Sequence, residues 1–419
     1  MVETSAANQA AYSRLTQGEP VLIDIRPAIE VVPRMTRETV LTSGPPMAWA
    51  EYTGGQRDAI IGGALHEGLA GTRDEAIAKL DAGEIKVSSC HEHDCIGSVA
   101  GIYTASMPVF VVEDRVSKTK AFCNFYEGPS RYRLNYGFYS DEVHQNLNHI
   151  AQVVSPVLAE ALQLTGGVPM KPLIQRALHM GDELHSRNTA ATILFIRELF
   201  PKILEVAKRK PNDVNATLTF IRESDYFFLR LSMATAKATA NAAHGIAGSS
   251  VVTGMTISCR DFAIRVSGLG EKWFHGPHPK LQGRFFEGFS EKDVEWMGGE
   301  SHHTEVIGLG AFAQAAAFGL QAYQGGSAEA MVTNNLAMYR ITVGEHPDFH
   351  IPYFGFRGSP VGIDVLKVVE TGVVPLIDGG LAGRGGGQIG AGVLMAPMEC
   401  FTAAAAAHAK LHQNPTKTL

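Results

Sequence analysis

Apolar and polar positions alternate with different periods in successive parts of the chain. In residues 1–140, short apolar runs stand between amphipathic stretches, which predicts an α/β domain. Thr72 begins a capping box that closes at Glu75 and indicates the start of a helix. The predicted elements of this part are strands at 20–25 and 84–89, helices at 56–69 and 72–83, and a β-hairpin of residues 107–113 and 120–126.

The pattern in residues 141–245 is almost wholly helical, which predicts a central helical domain. Its predicted helices are 141–163, 169–188, 189–209 and 213–244, the last with a break near Ser224. Strand signals return in residues 246–419 and predict a second α/β domain. Its predicted elements are a hairpin of residues 250–258 and 262–267 and two alanine-rich helices, 308–324 and 392–412. The predicted fold class is therefore mixed α+β and multi-domain, with short-stranded sheets flanking a central helical segment.

The composition of the chain argues against some classes of function. The 419 residues carry a net charge of -6 and contain no block of lysine and arginine, which argues against a nucleic-acid partner. The most apolar runs, such as 249–258 and 372–377, are too short to cross a membrane. Five cysteines and no signal peptide at the N-terminus indicate a reducing compartment. We therefore expect a cytoplasmic protein that binds neither nucleic acid nor a membrane.

The stretch of residues 178–188 is unusually polar for a segment with helical periodicity. On a continuous helix, four of its side chains would share one face, and Arg187 and Asn188 would follow at the end. A face this rich in acids and bases is a solvated helix end, an acid–base or substrate site, or half of a metal site. The four side chains are His179, Asp182, Glu183 and Ser186.

A second candidate site lies at residues 90–95, directly after the predicted strand 84–89. If the strand continued, His91, His93 and Cys95 would lie on one face, and Asp94 would lie on the other. These three residues are the candidate metal ligands, although their spacing matches no standard zinc pattern. The segment is therefore either a site at the end of a strand or an ordinary polar loop.

The third candidate is the glycine-rich stretch 378–392, which precedes the predicted helix 392–412. Glycines allow the backbone to approach an anion, and Arg384 supplies a positive charge. The spacing from Gly385 to Gly390 matches a dinucleotide motif, but the strand and acidic residue that should follow are missing. A phosphate or carboxylate site and a merely flexible loop remain as interpretations.

Smaller groups of polar or aromatic residues occur elsewhere. Lys237 and Asn241 stand at i, i+4 on a predicted helix and are interpreted as a solvated stripe. The run 273–275 is interpreted as core or interface because of its aromatic residues. The remaining polar clusters are Asn124 with Arg131, Tyr132 and Arg133, and His302 with His303, Thr304 and Glu305.

Five segments carry a family resemblance: 43–46, 177–188, 264–270, 356–364 and 388–392. Together, and in this order along almost the whole chain, they resemble the YlbE/YahG-like family. One branch of that family is similar to the AllG subunit of oxamate carbamoyltransferase, from anaerobic allantoin breakdown. The resemblance implies carbamoyl transfer between an amide-type acceptor and phosphate, through carbamoyl phosphate. It also implies a partner subunit of the FdrA type and a third small subunit, and we expect homo-oligomers.

In that chemistry, the glycine-rich stretch with Arg384 suits phosphate, and Arg131 or Arg187 suits a carboxylate. Histidines are the candidate acids and bases. The expected catalytic residues are His91, His93, Asp94, His179, Asp182 and Glu183. The expected substrate-binding residues are Asn124, Arg131, His185, Arg187, Asn188, Asp378, Arg384, Gly386 and Gly387.

Two alternatives to a carbamoyltransferase remain. The first is a metal-dependent hydrolase or lyase that acts on a ureide or cyclic amide. It would take its ligands from His91, His93 and Cys95, or from His179 and Asp182. The second is a non-catalytic scaffold or ligand-binding subunit that completes a complex. No cofactor is identified beyond the divalent metal of the first alternative.

Overall fold

Short helices and strands alternate along residues 3–413, the part of the chain that the computed structural model describes. The helices are α1 (Thr4–Gln17), α2 (Ala28–Val31), α3 (Gly54–His66), α4 (Arg73–Asp81), α5 (Asp141–His149), α6 (Ser155–Thr165), α7 (Met170–His179), α8 (Thr189–Ala207), α9 (Pro211–Arg222), α10 (Leu229–Ala242), α11 (His303–Val306), α12 (Gln321–Gln324), α13 (Ala328–Met338), α14 (Val365–Thr371) and α15 (Met398–Gln413). The strands are β1 (Pro20–Pro27), β2 (Thr39–Thr42), β3 (Lys86–Ser89), β4 (Cys95–Ile96), β5 (Pro108–Asp114), β6 (Lys120–Asn124), β7 (Val168–Pro169), β8 (Val252–Ile257), β9 (Phe262–Val266), β10 (Trp273–Gly276), β11 (Lys280–Phe285), β12 (Thr342–Ile351), β13 (Arg357–Ile363), β14 (Leu376–Ala382) and β15 (Gln388–Met395).

A five-stranded sheet with the order β4-β6-β5-β1-β7 organises the N-terminal part. Strands β5 and β6 are antiparallel neighbours, so the predicted hairpin is confirmed. The Thr72 side chain accepts a hydrogen bond from the Glu75 backbone N–H at 3.2 Å, which confirms the predicted start of α4. Leu22 of β1 and Phe110 of β5 are fully buried in the same apolar cluster as residues of α6 and α10. These two helices pack on one face of the sheet.

Smaller antiparallel sheets build the C-terminal part. Strands β10, β9 and β8 form one sheet, β11, β15 and β14 form another, and β12 pairs with β13. The antiparallel pairing of β8 with β9 confirms the hairpin predicted at 250–258 and 262–267. Strands β2 and β3 form a separate parallel pair near the N-terminal sheet. The fold is therefore mixed α/β with short strands, as predicted.

The polar stretch at 178–188 is a turn between two helices. Helix α7 ends at His179, and α8 begins only at the end of this stretch. Gly181 and Leu184 have φ values of 97° and 71°, a left-handed conformation that a right-handed helix excludes. The prediction of one shared helical face is therefore wrong for His179, Asp182, Glu183 and Ser186.

Other helix boundaries follow the sequence to different degrees. The helix predicted at 141–163 is continuous, because a π-helical turn at Ile150–Val154 joins α5 to α6. The predicted break near Ser224 is confirmed between α9 and α10. The helix predicted at 308–324 is wrong, because this segment is made of short 3-10 turns and α12. Gly308 and Gly310, both with positive φ, interrupt it at the start.

The glycine-rich segment also folds differently from the prediction. Residues 388–395 form strand β15, and the helix predicted at 392–412 begins only at Met398. Gly392 pairs with Gly283 on one side and Gly379 on the other, so hydrogen bonds to two strands outweigh the helical preference. The glycines at 383–387 therefore form a hairpin turn, and no helix N-terminus follows them directly.

Helix α10 lies in the centre of the molecule. All its side chains from Leu229 to Ala240 are buried, including a lysine, because neighbouring elements surround it. The interpretation of Lys237 as part of a solvated stripe is therefore wrong. The largest apolar cluster contains residues of all three predicted domains, and the division at 140 and 245 stays a prediction. Within residues 3–413, no helix combines the length and apolar character that a membrane span requires.

Candidate functional site

A cleft opens beside the first turn of α10. Its walls come from that turn, from residues 126–136, from residues 294–302, and from strand β14. The predicted site residues His185 and Asp378 line this cleft together with Ser301, Arg133 and Arg230. The turn at 178–188 thus contributes to the cleft through His185 and Ser186.

Arg230 is the buried cationic group of the cleft. It is only 4% exposed, and its Nη1 donates a hydrogen bond to Asn124 Oδ1 at 2.8 Å. Its Nε has no hydrogen-bond partner, and it forms no ion pair within the described residues. The Glu127 carboxylate of the same cleft instead accepts hydrogen bonds from the backbone N–H groups of Leu134 and Asn135. A buried guanidinium without a counter-charge is an incomplete site that an anion would satisfy.

Aromatic rings lie beside the two arginines of the cleft. The Cζ atom of Arg230 lies 6.0 Å from the centre of the Tyr126 ring, and that of Arg133 lies 4.8 Å from it. Tyr136 contacts Arg133 in the same way at 5.3 Å. Aromatic faces hold cations in place without neutralising them. This wall of the cleft therefore keeps its positive charge available for a ligand.

The cleft also contains an acid–base group, which consists of Ser301, His185 and Glu305. The Nε2 atom of His185 lies 2.8 Å from Ser301 Oγ, and its Nδ1 lies 2.8 Å from Glu305 Oε1. His185 is 3% exposed and Glu305 is fully buried, whereas Ser301 is half-buried at the cleft surface. The three side chains form a line from the protein interior to the cleft. Such a line can move a proton to or from the serine hydroxyl.

The protein interior shifts the pKa values of this group. Burial acts to lower the pKa of His185, but the charge and hydrogen bond of Glu305 outweigh burial and raise it. Burial first, and the Glu305 charge second, raise the pKa of Asp378 to about 7. The cleft therefore contains a carboxyl group, Asp378, and an imidazole, His185, whose pKa values are both raised by their surroundings.

The turn at 178–188 fixes the position of His185. The buried Glu183 carboxylate accepts hydrogen bonds from the backbone N–H groups of Ser186 and Arg187, the latter at 2.8 Å. The Asn188 amide donates to the His185 carbonyl at 2.8 Å. Burial and the neighbouring Asp378 raise the pKa of Glu183 well above its usual range. Glu183 and Asn188 therefore hold the turn that presents His185 to the cleft.

The other predicted residues of this turn lie outside the cleft lining. Asp182 accepts a hydrogen bond from the Ala191 backbone N–H at 2.8 Å, at the first turn of α8. Arg187 Nε lies 3.5 Å from Asp182 Oδ1. His179 is exposed at the end of α7, where its ring stacks on that of His350 at 6.4 Å.

His91 belongs to a second buried cluster. Its Nδ1 lies 3.1 Å from Lys237 Nζ, and its Nε2 lies 3.0 Å from Glu300 Oε1. Burial, followed by the charge of Lys237, lowers the pKa of His91 well below its usual range. Burial lowers the pKa of Lys237 to about 8 and raises that of Glu300 to about 7. Because Glu300 precedes Ser301 in the chain, this cluster supports the segment that carries the serine.

The other residues of the 90–95 segment have different partners from His91, although Glu92 and Asp94 line one surface pocket with it. Residues Cys90–His93 form a 3-10 turn, and Asp94 has a φ of 56°, so the predicted strand faces do not exist. The His93 ring nitrogens contact the Pro33 carbonyl at 2.6 Å and Ser88 Oγ at 2.9 Å. Asp94 accepts from the Asn241 amide at 2.9 Å, and Cys95 is fully buried.

No trio of His, Cys, Asp or Glu side chains within residues 3–413 forms a group that could hold a metal ion. Both ring nitrogens of His91 and of His93 already have polar neighbours. The divalent metal therefore stays an untested prediction.

The glycines of the hairpin turn do not line the cleft, although the flanking residues Ala382 and Gln388 do. Gly386 and Gly387 have φ values of 79° and 70°, as the turn between β14 and β15 requires. Arg131 packs against this turn and is exposed, and Arg384 is exposed as well. The predicted anion-binding role of these residues stays a prediction.

Two residues of the cleft escaped the sequence analysis. Arg230 stands in an apolar helix directly after Phe227, Phe228 and Leu229, and a lone arginine in such a run is the signal that could have found it. Ser301 and Glu305 stand four residues apart, but neither is adjacent to His185 in the sequence. Only the fold brings this trio together.

Fold and cleft together define a mixed α/β protein in which a buried arginine and a serine–histidine–glutamate line share one cleft. Residues 85–301 match the family model for the oxamate carbamoyltransferase subunit AllG. The chain belongs to the AllG family. It is 37% identical over 400 residues to the oxamate carbamoyltransferase subunit AllG of Escherichia coli K12, covering 94% of this chain and 95% of that protein.

Two further relatives agree with this assignment. The uncharacterized protein YahG of Escherichia coli K12 is 40% identical over 399 residues, covering 95% of this chain and 84% of YahG. The crystal structure of a conserved protein of unknown function from Enterococcus faecalis V583 matches with a TM-score of 0.93 and 34% identity. This match covers 97% of the present chain and 98% of the other chain. The predicted YahG/AllG-like family is therefore confirmed.

Proposed function

We propose that this chain is a carbamoyltransferase subunit whose cleft binds a small carboxylate that also carries an amide. The observation that carries the proposal is Arg230, a buried guanidinium without a counter-charge, in the same cleft as Ser301 and His185. Oxamate, the substrate in the name of the AllG relative, is such a molecule, since its carboxylate is bonded directly to its amide carbonyl.

The carboxylate would bind at Arg230. A carboxylate could bind the part of the Arg230 guanidinium that lines the cleft, while Nη1 stays with Asn124 and fixes the guanidinium plane. Such a charge-assisted hydrogen bond is strong when both groups are buried. This anchoring would leave the adjacent amide free to reach the Ser301 side of the cleft.

His185 would move the proton that carbamoyl transfer requires. When the amide nitrogen bonds to the carbamoyl carbon, it loses a proton, and when that bond breaks, the nitrogen must gain one. The Nε2 atom of His185 faces the Ser301 hydroxyl on the cleft side, and its Nδ1 atom is held by the Glu305 carboxylate. Because Glu305 stabilises the protonated imidazole, His185 can act as an acid in one direction and a base in the other.

Phosphate is the second anion of this reaction. Arg133 lines the same cleft, is only half-buried, and lies beside the Tyr126 ring that Arg230 also approaches. This second positive charge would suit phosphate or the phosphate end of carbamoyl phosphate. The proposal therefore assigns Arg230 to the carboxylate and Arg133 to the phosphate.

We propose that the chain works with an FdrA-type partner subunit, since the AllG relative is by name a subunit. The test is therefore made on the complex, obtained by co-expression with the neighbouring genes. The assay measures phosphate-dependent release of carbamoyl phosphate from the N-carbamoyl derivative of oxamate. The complex should catalyse this release, and omitting the present chain should abolish it.

Two variants make this test specific. Arg230→Gln should lower kcat/KM by roughly 30- to 5000-fold, the equivalent of about 2–5 kcal/mol for a truncated buried charge pair. Arg197→Gln removes an exposed arginine of α8 outside the cleft lining and should retain activity. Equal activity of both variants would contradict the proposal. Transfer by the partner subunits without this chain would favour a scaffold role.

A further inference from the structure

The hydrogen-bond line in the cleft fixes the roles of its atoms. A carboxylate can only accept, so the neutral His185 imidazole donates its Nδ1–H to Glu305. The Nε2 lone pair then faces Ser301 and accepts the hydroxyl proton at an Oγ–Nε2 distance of 2.8 Å. A serine hydroxyl in this environment is prepared to lose its proton as it attacks a carbonyl carbon.

We propose that Ser301 is the nucleophile that carries the carbamoyl group as a serine carbamate between the two half-reactions. This inference rests on the proposed function and adds the covalent step to it. It makes Ser301 a catalytic residue, with His185 as its base and Glu305 as the residue that positions the imidazole.

The first half-reaction forms the serine carbamate and releases the amide. Ser301 Oγ bonds to the carbamoyl carbon of the N-carbamoyl amide, and its proton passes to His185 Nε2. The bond between that carbon and the amide nitrogen breaks, and the nitrogen takes the proton from His185. In the second half-reaction, a phosphate oxygen attacks the carbamate carbon. The attacking hydrogen phosphate gives its proton to His185 Nε2, the bond to Ser301 Oγ breaks, Oγ takes that proton from His185, and carbamoyl phosphate leaves.

The backbone around Ser301 holds the hydroxyl in place. The two Glu300 carboxylate oxygens accept hydrogen bonds from Gly44 and Gly97 backbone N–H groups at 3.0 and 2.7 Å. The Ser301 carbonyl accepts from the Thr304 hydroxyl at 2.8 Å. The serine is therefore fixed from both sides before a ligand binds, as a nucleophile requires.

A covalent route also fits the arrangement of the cleft. The carboxylate substrate and phosphate are both anions, and both would bind in one cleft near Arg230 and Arg133. A carbamate on Ser301 allows the first anion to leave before the second one binds, which avoids repulsion between the two at close range. The reaction would then show ping-pong kinetics.

The experiment uses the assembled complex and carbamoyl phosphate without an acceptor amide. Mass spectrometry of the intact chain and of its peptides should find one added carbamoyl group on Ser301, and later addition of oxamate should remove it. Ser301→Ala should lose both this label and the transfer activity. Ser98→Ala, which changes another serine of the same cleft, should keep the label. Thermal unfolding checks that both variants fold.

The outcomes separate this inference from the proposed function. Transfer by the complex without a label on Ser301, together with activity in Ser301→Ala, would overturn the covalent step alone. A label on Ser301 without transfer to oxamate would support the nucleophile and overturn the acceptor. Neither label nor transfer would overturn both. Labels on lysines that persist in Ser301→Ala arise from cyanate, and they count against the inference if they are the only ones.

Discussion

Arg230→Met should separate the stability of the unliganded protein from its ability to bind an anion. The buried Arg230 side chain carries a charge, yet it has one hydrogen bond to Asn124 and an unpaired Nε. Methionine has a similar length and is apolar, so it can fill the same volume between neighbouring side chains. The change removes the guanidinium and preserves most of the packing.

Two opposing effects determine the stability of the variant. Loss of the arginine leaves Asn124 Oδ1 without its donor, which costs about 1–3 kcal/mol. Removing a buried charge that lacks a counter-charge relieves a desolvation penalty, and apolar replacement of buried ionic groups is often stabilising by about 1–4 kcal/mol. We therefore expect the free energy of unfolding to change by no more than about 2 kcal/mol in either direction. Arg230→Met with Asn124→Leu, which removes both partners, should be at least as stable as the single variant.

Thermal unfolding with and without oxamate measures both properties in one assay. Ligand present at 100 times its Kd stabilises a protein by about 2.7 kcal/mol, so the Tm of the wild type should rise with oxamate. The Tm of Arg230→Met should be near that of the unliganded wild type and should not respond to oxamate. A variant that still responds, or one destabilised by more than about 4 kcal/mol without ligand, would refute the assignment of Arg230 to the substrate.

Three further predictions follow from the surroundings of the cleft. Glu305→Gln removes the charge that raises the pKa of His185, so burial should then lower that pKa, and the acidic limb of the pH–rate profile should move to lower pH. The folded-state pKa of Asp378, about 7, lies above its ordinary value of 3.8, so its proton stabilises the fold at low pH and this contribution is lost as the pH rises through 7. Asp378→Asn should therefore reduce the fall in Tm between pH 3.8 and pH 7. An unchanged fall would contradict the raised pKa of Asp378. Gly386→Ala places a Cβ at a φ of 79° and 2.5 Å from the Phe138 ring, so it should lower the stability by about 2–4 kcal/mol, while KM for phosphate stays unchanged if the hairpin is only a turn.

Local patterns predicted the elements that depend on near neighbours. The β5–β6 hairpin and the start of α4 follow from alternation and from a capping box, and both are confirmed. Strand β15 escaped prediction because its glycines and alanines carry no period. Its partner β11 lies about a hundred residues away, and sequence spacing cannot predict such a pairing.

The candidate site likewise contains some residues that the sequence predicts and others that only the fold reveals. His185 and Asp378 were expected from their polar surroundings in the sequence, and both line the cleft. Arg230 and Ser301 were missed because their importance arises from burial and from contacts that only the tertiary fold creates. The periodicity at 178–188 predicts a helix, because nothing in the sequence indicates the left-handed conformation of Gly181 and Leu184.

The central claim is that one cleft holds a carboxylate at Arg230 and presents its amide to Ser301. A crystal structure of the complex with oxamate bound tests this claim most directly. The account predicts the carboxylate on the Arg230 guanidinium, with the amide facing the Ser301 hydroxyl. Oxamate bound instead at the glycine hairpin, between Arg131 and Arg384, with the cleft empty, would contradict it.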